Sequence, residues 1–204
     1  MVMERADTLQ SLAGAESPED REEARQITRA QSGDEAAIDW LLSRYRQRVV
    51  RLAAHILRRP SEAEDAAQEA FVRAFRNLHR FRGDGRFYTW LYQIVVRVCL
   101  DMRRLARWNA EMPMEMLHEF AEGSDPGLSA IDSRILVEAL LDRISPPIRA
   151  TLVLRELEGL EYEEIARVMQ IPIGRVRWRL HAARAEFQKL LREVVKETND
   201  VQDA

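Results

Sequence analysis

Apolar residues recur at three- and four-residue steps from residue 34 onward, and this spacing predicts amphipathic helices. The first helical face contains Ile38, Leu41, Leu42, Tyr45, Val49, Leu52, Ala53 and Ile56. Pro60 and Ser61 interrupt the pattern, and Ser61 followed by Glu64 predicts the N-cap and capping box of a second helix. That helix would bury Ala67, Ala70, Phe71, Ala74, Phe75 and Leu78.

Two glycines, Gly83 and Gly85, then interrupt the helical pattern within the sequence FRGDGRF. Thr89 is predicted to cap a third helix, whose apolar face contains Trp90, Leu91, Ile94, Val95, Val98 and Met102. No segment alternates polar and apolar residues with a period of two, so the predicted fold class is all-α.

Residues 161–190 contain two helical patterns separated by a break at residues 170–172, which predicts a helix-turn-helix. The second pattern forms one apolar stripe of Ile173, Val176, Leu180, Ala183, Phe187, Leu190 and Val194. We therefore predict two small helical domains joined by a flexible acidic linker, with the helix-turn-helix in the C-terminal one. The predicted organisation is an N-terminal extension that is mobile or partly helical, a first domain, the linker, a second domain and a tail, at residues 1–29, 30–106, 107–128, 129–195 and 196–204.

The composition is that of a soluble protein, with 46% hydrophobic and 32% charged residues. No apolar run approaches the roughly 18 residues that a membrane helix needs, and the N-terminus lacks a signal-peptide pattern, so we expect a cytoplasmic protein without membrane insertion. The single cysteine, Cys99, excludes an internal disulfide framework and a CxxC metal or redox site.

The net charge of −3 is a sum of opposed blocks. Residues 72–107 contain nine arginines and two acids, whereas residues 110–138 contain seven acids and one arginine. Residues 173–184 contain four arginines and no acid. Two separate positive blocks are typical of a protein that contacts a polyanion at two places, although solvated helix faces would give the same pattern.

The second helix of the helix-turn-helix places arginines outside its apolar stripe, where they would face outward. Arginine contacts guanine edges and phosphates in the major groove of DNA, so this face is a candidate DNA-binding surface. An ordinary solvated basic face is the alternative. Trp178 lies on the same polar side, and either a DNA contact or packing against a neighbouring helix would account for it.

Arginines alternate with aromatic residues between residues 80 and 92, a combination that holds single-stranded nucleic acid. We assign Phe87 and Trp90 mostly to packing, whereas Phe81, Tyr88 and Tyr92 could contact bases or belong to the core. A core edge flanked by arginines is the alternative for the whole block.

The segments SEAEDAAQEAFVRAFRNLHRFRGDGRFYTWLYQIVVRVCLDMRR and LRELEGLEYEEIARVMQIPIGRVRWRLHAAR resemble, respectively, regions two and four of bacterial sigma factors. The chain lacks regions one and three and has a short acidic linker, and therefore resembles the extracytoplasmic-function (ECF, group four) sigma factors. The resemblance covers about residues 30–105 and 130–192 and implies a protein that binds core RNA polymerase, recognises a minus-thirty-five element and melts a minus-ten element.

The resemblance implies three sets of site residues. The polymerase-binding set, which would dock on the β′ clamp, is Asp65, Gln68, Glu69, Arg73 and Arg76, with Phe71 assigned to packing. The minus-ten set is Arg80, Phe81, Arg82, Arg86, Tyr88, Thr89, Trp90, Arg97, Asp101, Arg103 and Arg104. The minus-thirty-five set is Arg175, Arg177, Trp178, Arg179, His181 and Arg184.

The implied partners are core RNA polymerase, through its β′ clamp and β flap, promoter DNA and an anti-sigma factor. No catalytic residue, cofactor or metal is predicted. The chain departs from the family pattern at the helix-turn-helix turn, where Gln170 replaces a common glycine, so that either Gln170 is strained or the turn differs. It also departs at Arg97, Arg175, Trp178 and Ala182, so promoter sequences cannot be transferred from relatives.

Two other classes of function compete with the sigma factor. A stand-alone dimeric helix-turn-helix regulator would bind palindromic DNA without polymerase, but no dimerisation seam is evident and the aromatic–arginine block would be unexplained. An enzyme is disfavoured because His55, His79, His118 and His181 show no ligand spacing, and because Cys99 lies on an apolar helix where a buried thiol is expected.

Overall fold

A computed structural model describes residues 17–83, 85–110 and 141–202 of the chain. Within these residues there are seven α-helices, one 3₁₀ turn and no β-strand, which confirms the all-α prediction. The helices are α1 (Pro18–Gln31), α2 (Glu35–Leu57), α3 (Pro60–Arg76), α4 (Phe87–Ala110), α5 (Pro146–Glu156), α6 (Tyr162–Met169) and α7 (Ile173–Gln202), and the 3₁₀ turn is Leu78–Arg80. The predicted acidic linker and residues 1–16 of the predicted extension lie outside the described residues, apart from residues 107–110, which end α4.

Helix α1 begins at a capping box formed by Ser17 and Asp20. The Asp20 amide donates to Ser17 Oγ at 3.0 Å, and the Ser17 amide donates back to the Asp20 carboxylate at 3.2 Å. The Ser17 hydroxyl also donates to the Asp20 carboxylate at 2.8 Å, and this bond, followed by the one from the Ser17 amide, lowers the pKa of Asp20. Ile27 and Ala30 are buried against α2, so α1 is a packed element that continues across the predicted boundary at residue 29.

The N-terminal unit packs α1, α2, α3 and α4 around one core. Fully buried members include Leu41, Val49 and Leu52 of α2 and Leu91 and Val95 of α4. The residues follow the three- and four-residue spacing seen in the sequence, because one face of each helix is turned inward.

Two predicted helix starts are wrong. Helix α3 begins at Pro60 with Arg59 as its N-cap, so Ser61 lies inside the first turn. Proline suits the first helical position, because its fixed φ is helical and its missing amide is one that the helix leaves unpaired there. Helix α4 begins at Phe87, and the amides of Thr89 and Trp90 both donate to the carbonyl of Arg86. Thr89 therefore lies in the first turn and does not cap the helix.

The C-terminal unit consists of α5, α6 and α7, and α6 with α7 forms the predicted helix-turn-helix. Gln170 ends α6 in the left-handed conformation, with φ 52° and ψ 46°. The turn thus keeps the geometry that usually selects glycine, and Gln170 accepts the strain. Val176, Leu180 and Ala183 of the predicted stripe are buried.

The two units pack against each other, with α5 contacting α2 and α6 contacting α4. Arg149 of α5 is 4% exposed and donates to the carbonyl of Ile56 in α2 at 3.0 Å. It also donates to the carbonyl of Ile144 at 2.9 Å within its own unit. Burial lowers the pKa of Arg149 to about 10, so the guanidinium remains charged at neutral pH. Arg58 and Asp142 add an ion pair between the units at 2.8 Å.

Candidate nucleic-acid and polymerase interfaces

The outward face of α7 carries most of the predicted minus-thirty-five set. Arg175, Arg177, Trp178 and His181 are exposed, and the Trp178 side chain is 62% exposed. Such exposure excludes the alternative that Trp178 packs against a neighbouring helix. An indole and guanidinium groups on one accessible helix face can contact base edges and phosphates without rearrangement of the C-terminal unit.

Two predicted members of this set differ from the others. Arg179 is half-buried, and its Nη1 atom is buried without a hydrogen-bond partner within the described residues. Burial, with a smaller contribution from Arg175, lowers the pKa of Arg179. The prediction that Arg179 faces outward is therefore wrong for part of its guanidinium. Arg184 is exposed and lies 3.5 Å from the carboxylate of Glu156 at the end of α5.

The loop that precedes α4 presents arginines but buries most of its aromatic surface. Arg80, Arg82 and Arg86 are exposed. Phe81 packs against the rings of Phe87 and Trp90, with ring centroids 5.4 and 5.5 Å apart. Of the two alternatives for Phe81, base contact or core, this packing favours the core, because the half-buried ring lies at its edge.

Thr89, another predicted minus-ten residue, is only 6% exposed and its hydroxyl has no hydrogen-bond partner within the described residues. Direct contact of Thr89 with DNA would require a change in its surroundings.

The tyrosines on α4 face the C-terminal unit. Tyr92 is 1% exposed, and its hydroxyl donates to the carboxylate of Glu158 at 2.6 Å. The half-buried Tyr88 donates to Glu164 of α6 at 3.2 Å and accepts from Arg86 at 3.3 Å. Burial, followed by the hydrogen bond to Glu158, raises the pKa of Tyr92. The C-terminal unit therefore contacts the hydroxyl groups of both tyrosines, of which Tyr92 is buried and Tyr88 is half-buried.

Gln93 extends the same contact, because its side-chain amide donates to the carbonyl of Arg167 in α6 at 3.1 Å. Further along α4, Arg97 and Arg104 are exposed, whereas Asp101 and Arg103 are half-buried. The Arg103 Nε atom is buried without a partner in the described part of the chain. The four predicted residues of this helix segment thus differ in accessibility, and Arg97 and Arg104 are the accessible ones.

The predicted polymerase-binding residues share one exposed face of α3. This face contains Asp65, Gln68, Glu69, Arg73 and Arg76. Glu69 accepts from Arg73 at 2.6 Å, and Arg73 also lies 3.9 Å from Asp101 of α4. Phe71 is 7% exposed and stacks near Phe75, in agreement with its assignment to packing.

Sequence reasoning missed the residues that join the two units. No motif in the sequence distinguishes Glu158 or Glu164 from the neighbouring acids of the segment 156–164. The sequence pattern likewise assigns no role to Arg149, or to Gln31 within the N-terminal unit. An internal arginine in the otherwise apolar stretch PPIRATLVL is the one local signal that could have indicated Arg149.

The residues that the structure describes contain no candidate metal site, and their cysteine, Cys99, is not a reactive thiol. No group of three or more potential metal ligands occurs there, and no helix there is long and apolar enough to span a membrane. Cys99 is fully buried, and burial raises the pKa of its thiol to about 12. A thiol with such a pKa is protonated at neutral pH and is a poor nucleophile.

Comparison with known proteins identifies the class to which this arrangement belongs. Residues 41–109 match the family model Sigma-70 region 2, and residues 134–187 match Sigma-70, region 4. The chain is 36% identical over 183 residues to the RNA polymerase sigma-H factor of Pseudomonas aeruginosa, covering 84% of this chain and 94% of that protein. It is 33% identical over 184 residues to the ECF RNA polymerase sigma-E factor of Escherichia coli K12, covering 83% and 94%.

Two solved structures share the fold. One is CnrH in complex with the cytosolic domain of CnrY, with a TM-score of 0.61, 23% identity, and coverage of 82% of this chain and 96% of that one. The other is the sigma factor RpoE of Bartonella quintana in complex with the anti-sigma factor NepR, with a TM-score of 0.62, 19% identity, and coverage of 76% and 96%.

The helical fold with a helix-turn-helix and the two matched regions define a bacterial sigma factor. More specifically, the chain belongs to the extracytoplasmic-function sigma factors. It is an alternative sigma factor that associates with core RNA polymerase and directs promoter-specific initiation, and the comparisons do not support the stand-alone dimeric regulator. Sigma factors act as transcription initiation factors.

Proposed function

We propose that the exposed face of α7 binds the minus-thirty-five element. The observation that carries this assignment is the joint exposure of Arg175, Arg177 and Trp178 on the second helix of the helix-turn-helix. Second helices of this motif lie in the major groove, where arginine contacts guanine and indole can pack on a thymine methyl group. His181 and Arg184 extend this surface, and Arg179 contributes through the exposed part of its side chain.

The minus-ten element is assigned to the loop 80–86 and to α4. The exposed guanidinium groups of Arg80, Arg82 and Arg86 suit the phosphates of an unpaired strand, and the covered rings of Tyr88 and Tyr92 suit stacking on its bases once they are released. Phe81, Thr89 and Trp90 form the supporting layer. Asp101, Arg103, Arg97 and Arg104 continue along α4 toward the adjacent duplex.

The exposed face of α3, with the five residues described above, is assigned to the β′ clamp of core RNA polymerase, and the C-terminal unit to the β flap. Glu69 and Arg73 support this assignment because they are exposed and pair with each other, and Arg73 lies 3.9 Å from Asp101. Charged pairs on an exposed face exchange readily for pairs across an interface. The proposed domain limits remain residues 30–106 and 129–195.

The two promoter elements require the units to separate. Elements centred at minus thirty-five and minus ten are about 25 base pairs apart, or about 85 Å along B-form DNA. A compact protein of about 200 residues has a radius of gyration of about 17 Å and hence a diameter of about 45 Å. One compact body cannot bind both elements, whereas residues 111–140, fully extended, could reach about 100 Å. We infer that the contacts of Arg149, Glu158 and Glu164 break on promoter binding.

We further propose that the protein acts in the cytoplasm, catalyses no reaction itself and is held inactive by an anti-sigma factor. Support for such a partner comes from the Bartonella quintana relative in fold, which was solved with one. An anti-sigma factor that binds both units would keep them together and would therefore oppose the separation that promoter binding needs.

Transcription with purified core RNA polymerase on genomic promoter fragments tests the proposed function. We expect promoter-specific transcripts that require this protein and disappear when Arg175 and Arg177 are both replaced by alanine. A protein that binds neither core polymerase nor any genomic promoter would contradict the proposal.

A further inference from the structure

Helix α1 ends beside the loop that is assigned to the minus-ten strand. The side-chain amide of Gln31, the last residue of α1, donates to the carbonyl of Leu78 at 3.0 Å and to the carbonyl of Phe81 at 2.8 Å. A carboxamide nitrogen has two hydrogens, so both are used. Gln31 therefore connects α1 to a segment that follows it by about fifty residues.

Hydrogen bonds among the residues next to Gln31 join the end of α1 to the start of α2. Ser32 donates its amide to the carbonyl of Arg29 at 3.0 Å, and Arg29 Nε donates to Asp34 at 2.8 Å. Asp34 in turn caps α2 by accepting from the amide of Ala37 at 3.2 Å. The hydrogen bond from Arg29 lowers the pKa of Asp34, which keeps this cap ionised. The Gln31 side chain thus projects from a hydrogen-bonded corner between α1 and α2.

On the other side, Phe81 lies between Arg80 and the part of the loop that carries Arg82 and Arg86. Its carbonyl accepts from Gln31, and its ring packs on Phe87 and Trp90, so the residue is held from both sides. Beyond it, the chain to Arg86 contains Gly83 with φ 79°, a conformation that glycine adopts readily. Helix α1 and this loop enclose a cleft of about 440 Å³, and Gln31 lines it.

We propose that Gln31 is a positioning residue for capture of the minus-ten strand. By donating to the carbonyls of Leu78 and Phe81, it fixes the position of the loop relative to α1. It therefore determines where Arg82 and Arg86 contact the phosphates. This inference rests on the proposed role of the loop. Its consequence is that loss of the two donors impairs binding of the unpaired strand but leaves docking on core polymerase intact.

Three variants in the full chain test the inference. Gln31→Glu keeps the shape but replaces the donors by a carboxylate facing two carbonyl oxygens, whereas Gln31→Lys keeps a donor at this position. Gln47→Glu, at an exposed residue of α2, controls for the change of charge. The measurements are affinity for core polymerase, thermal unfolding, and affinity of the polymerase complex for a single-stranded oligonucleotide with the non-template minus-ten sequence.

For Gln31→Glu we expect affinity for the single strand to fall about five- to tenfold, with core affinity and duplex minus-thirty-five binding within twofold of the parent protein. Gln31→Lys should recover affinity to within about threefold, and Gln47→Glu should not change it. Equal affinity of Gln31→Glu and the parent would overturn the inference, as would an equal loss of core binding. An Arg82→Ala, Arg86→Ala double variant separates the role of Gln31 in positioning the loop from the role of the loop in binding the strand. If that variant also binds the strand normally, the proposed role of the loop fails as well.

Discussion

The two surfaces that are assigned to DNA differ in how the folded chain treats them. On α7, Arg175, Arg177 and Trp178 are exposed, and the predicted contact surface is ready for duplex DNA. On α4, Tyr88 and Tyr92 face the helix-turn-helix unit, and the hydroxyl groups donate to Glu164 and Glu158. The surface assigned to the minus-thirty-five element is therefore open, whereas the tyrosines assigned to the minus-ten strand contact the C-terminal unit of the same protein.

The difference shows how contacts within one chain can occupy a surface that is assigned to nucleic acid. A buried tyrosine hydroxyl needs a hydrogen-bond partner, and a carboxylate supplies one while repelling the phosphates that would compete for the site. The exposed arginines of α7 need no such cover, because water solvates them. Under the proposed function, the covered surface becomes available when the two units separate, so that strand capture depends on promoter binding.

Removal of the open surface should have the largest effect. For Arg175→Ala combined with Arg177→Ala, we expect minus-thirty-five duplex affinity to fall by about 1000-fold, since each arginine contact contributes about 1–3 kcal/mol. Fluorescence anisotropy with a labelled duplex measures the change. Arg192→Ala, an exposed arginine further along α7, is the control and should change affinity less than threefold, within the roughly 0.7 kcal/mol of one weak contact. A comparable loss in the control would indicate general electrostatic attraction instead of a defined surface.

Arg149 tests the contact between the units. Arg149→Leu removes donors from the carbonyls of Ile56 and Ile144, so we expect the free energy of unfolding to fall by about 3 kcal/mol and the radius of gyration of the folded protein to rise. Denaturation and small-angle scattering measure these quantities.

Arg155→Leu is the matched control, because Arg155 donates to the carbonyl of Leu160 and to Glu161 within the C-terminal unit. It should lower stability without expansion. If both variants expand equally, Arg149 does not hold the units together.

Replacement of Glu158 tests the contact between Tyr92 and the C-terminal unit. Glu158→Ala leaves the hydroxyl of buried Tyr92 without its acceptor, which should weaken the contact between the units by about 2 kcal/mol, or about 30-fold in the closed-to-open ratio. Binding of a single-stranded minus-ten oligonucleotide by the polymerase complex should improve as a result. Glu163→Ala, an exposed acid on α6, is the control for lost negative charge. Equal improvement in both variants would attribute the effect to charge alone.

The smallest effect is expected from a change at Gln170, in the turn that precedes the exposed face of α7. Because Gln170 is left-handed at φ 52°, Gln170→Gly should raise the free energy of unfolding by about 1 kcal/mol. Minus-thirty-five affinity should stay within a factor of about two, since the turn geometry is already that of glycine. Chemical denaturation and the duplex-binding assay check the two expectations. A loss of stability would mean that the Gln170 side chain contributes more than its backbone strain costs.

The features that sequence could predict are local ones. The three- and four-residue spacing located α2, α3, α4 and the helix-turn-helix, and the same spacing indicated the exposed arginines of α7. Helix starts are weakly encoded, because Pro60 suits the first helical position while Ser61 suits the N-cap, and the two residues are adjacent.

The contacts of Arg149, Glu158 and Gln31 join residues 47 to 93 positions apart, and no local pattern encodes such pairings. Arg179 shows the same limit: its helical position predicts an outward direction, yet neighbouring packing buries part of its guanidinium.

The distance between the two units tests the account most directly. Spin labels at His79→Cys and Glu163→Cys, both exposed positions, would report it, and the buried Cys99 thiol should stay unlabelled. In the free protein we expect one short distance, below about 45 Å, as for a compact body. With core polymerase and promoter DNA the distance should increase beyond about 60 Å, as binding of two elements about 85 Å apart requires. A short distance retained in the promoter complex would contradict separation of the units on promoter binding, and widely separated units in the free protein would contradict their packing against each other.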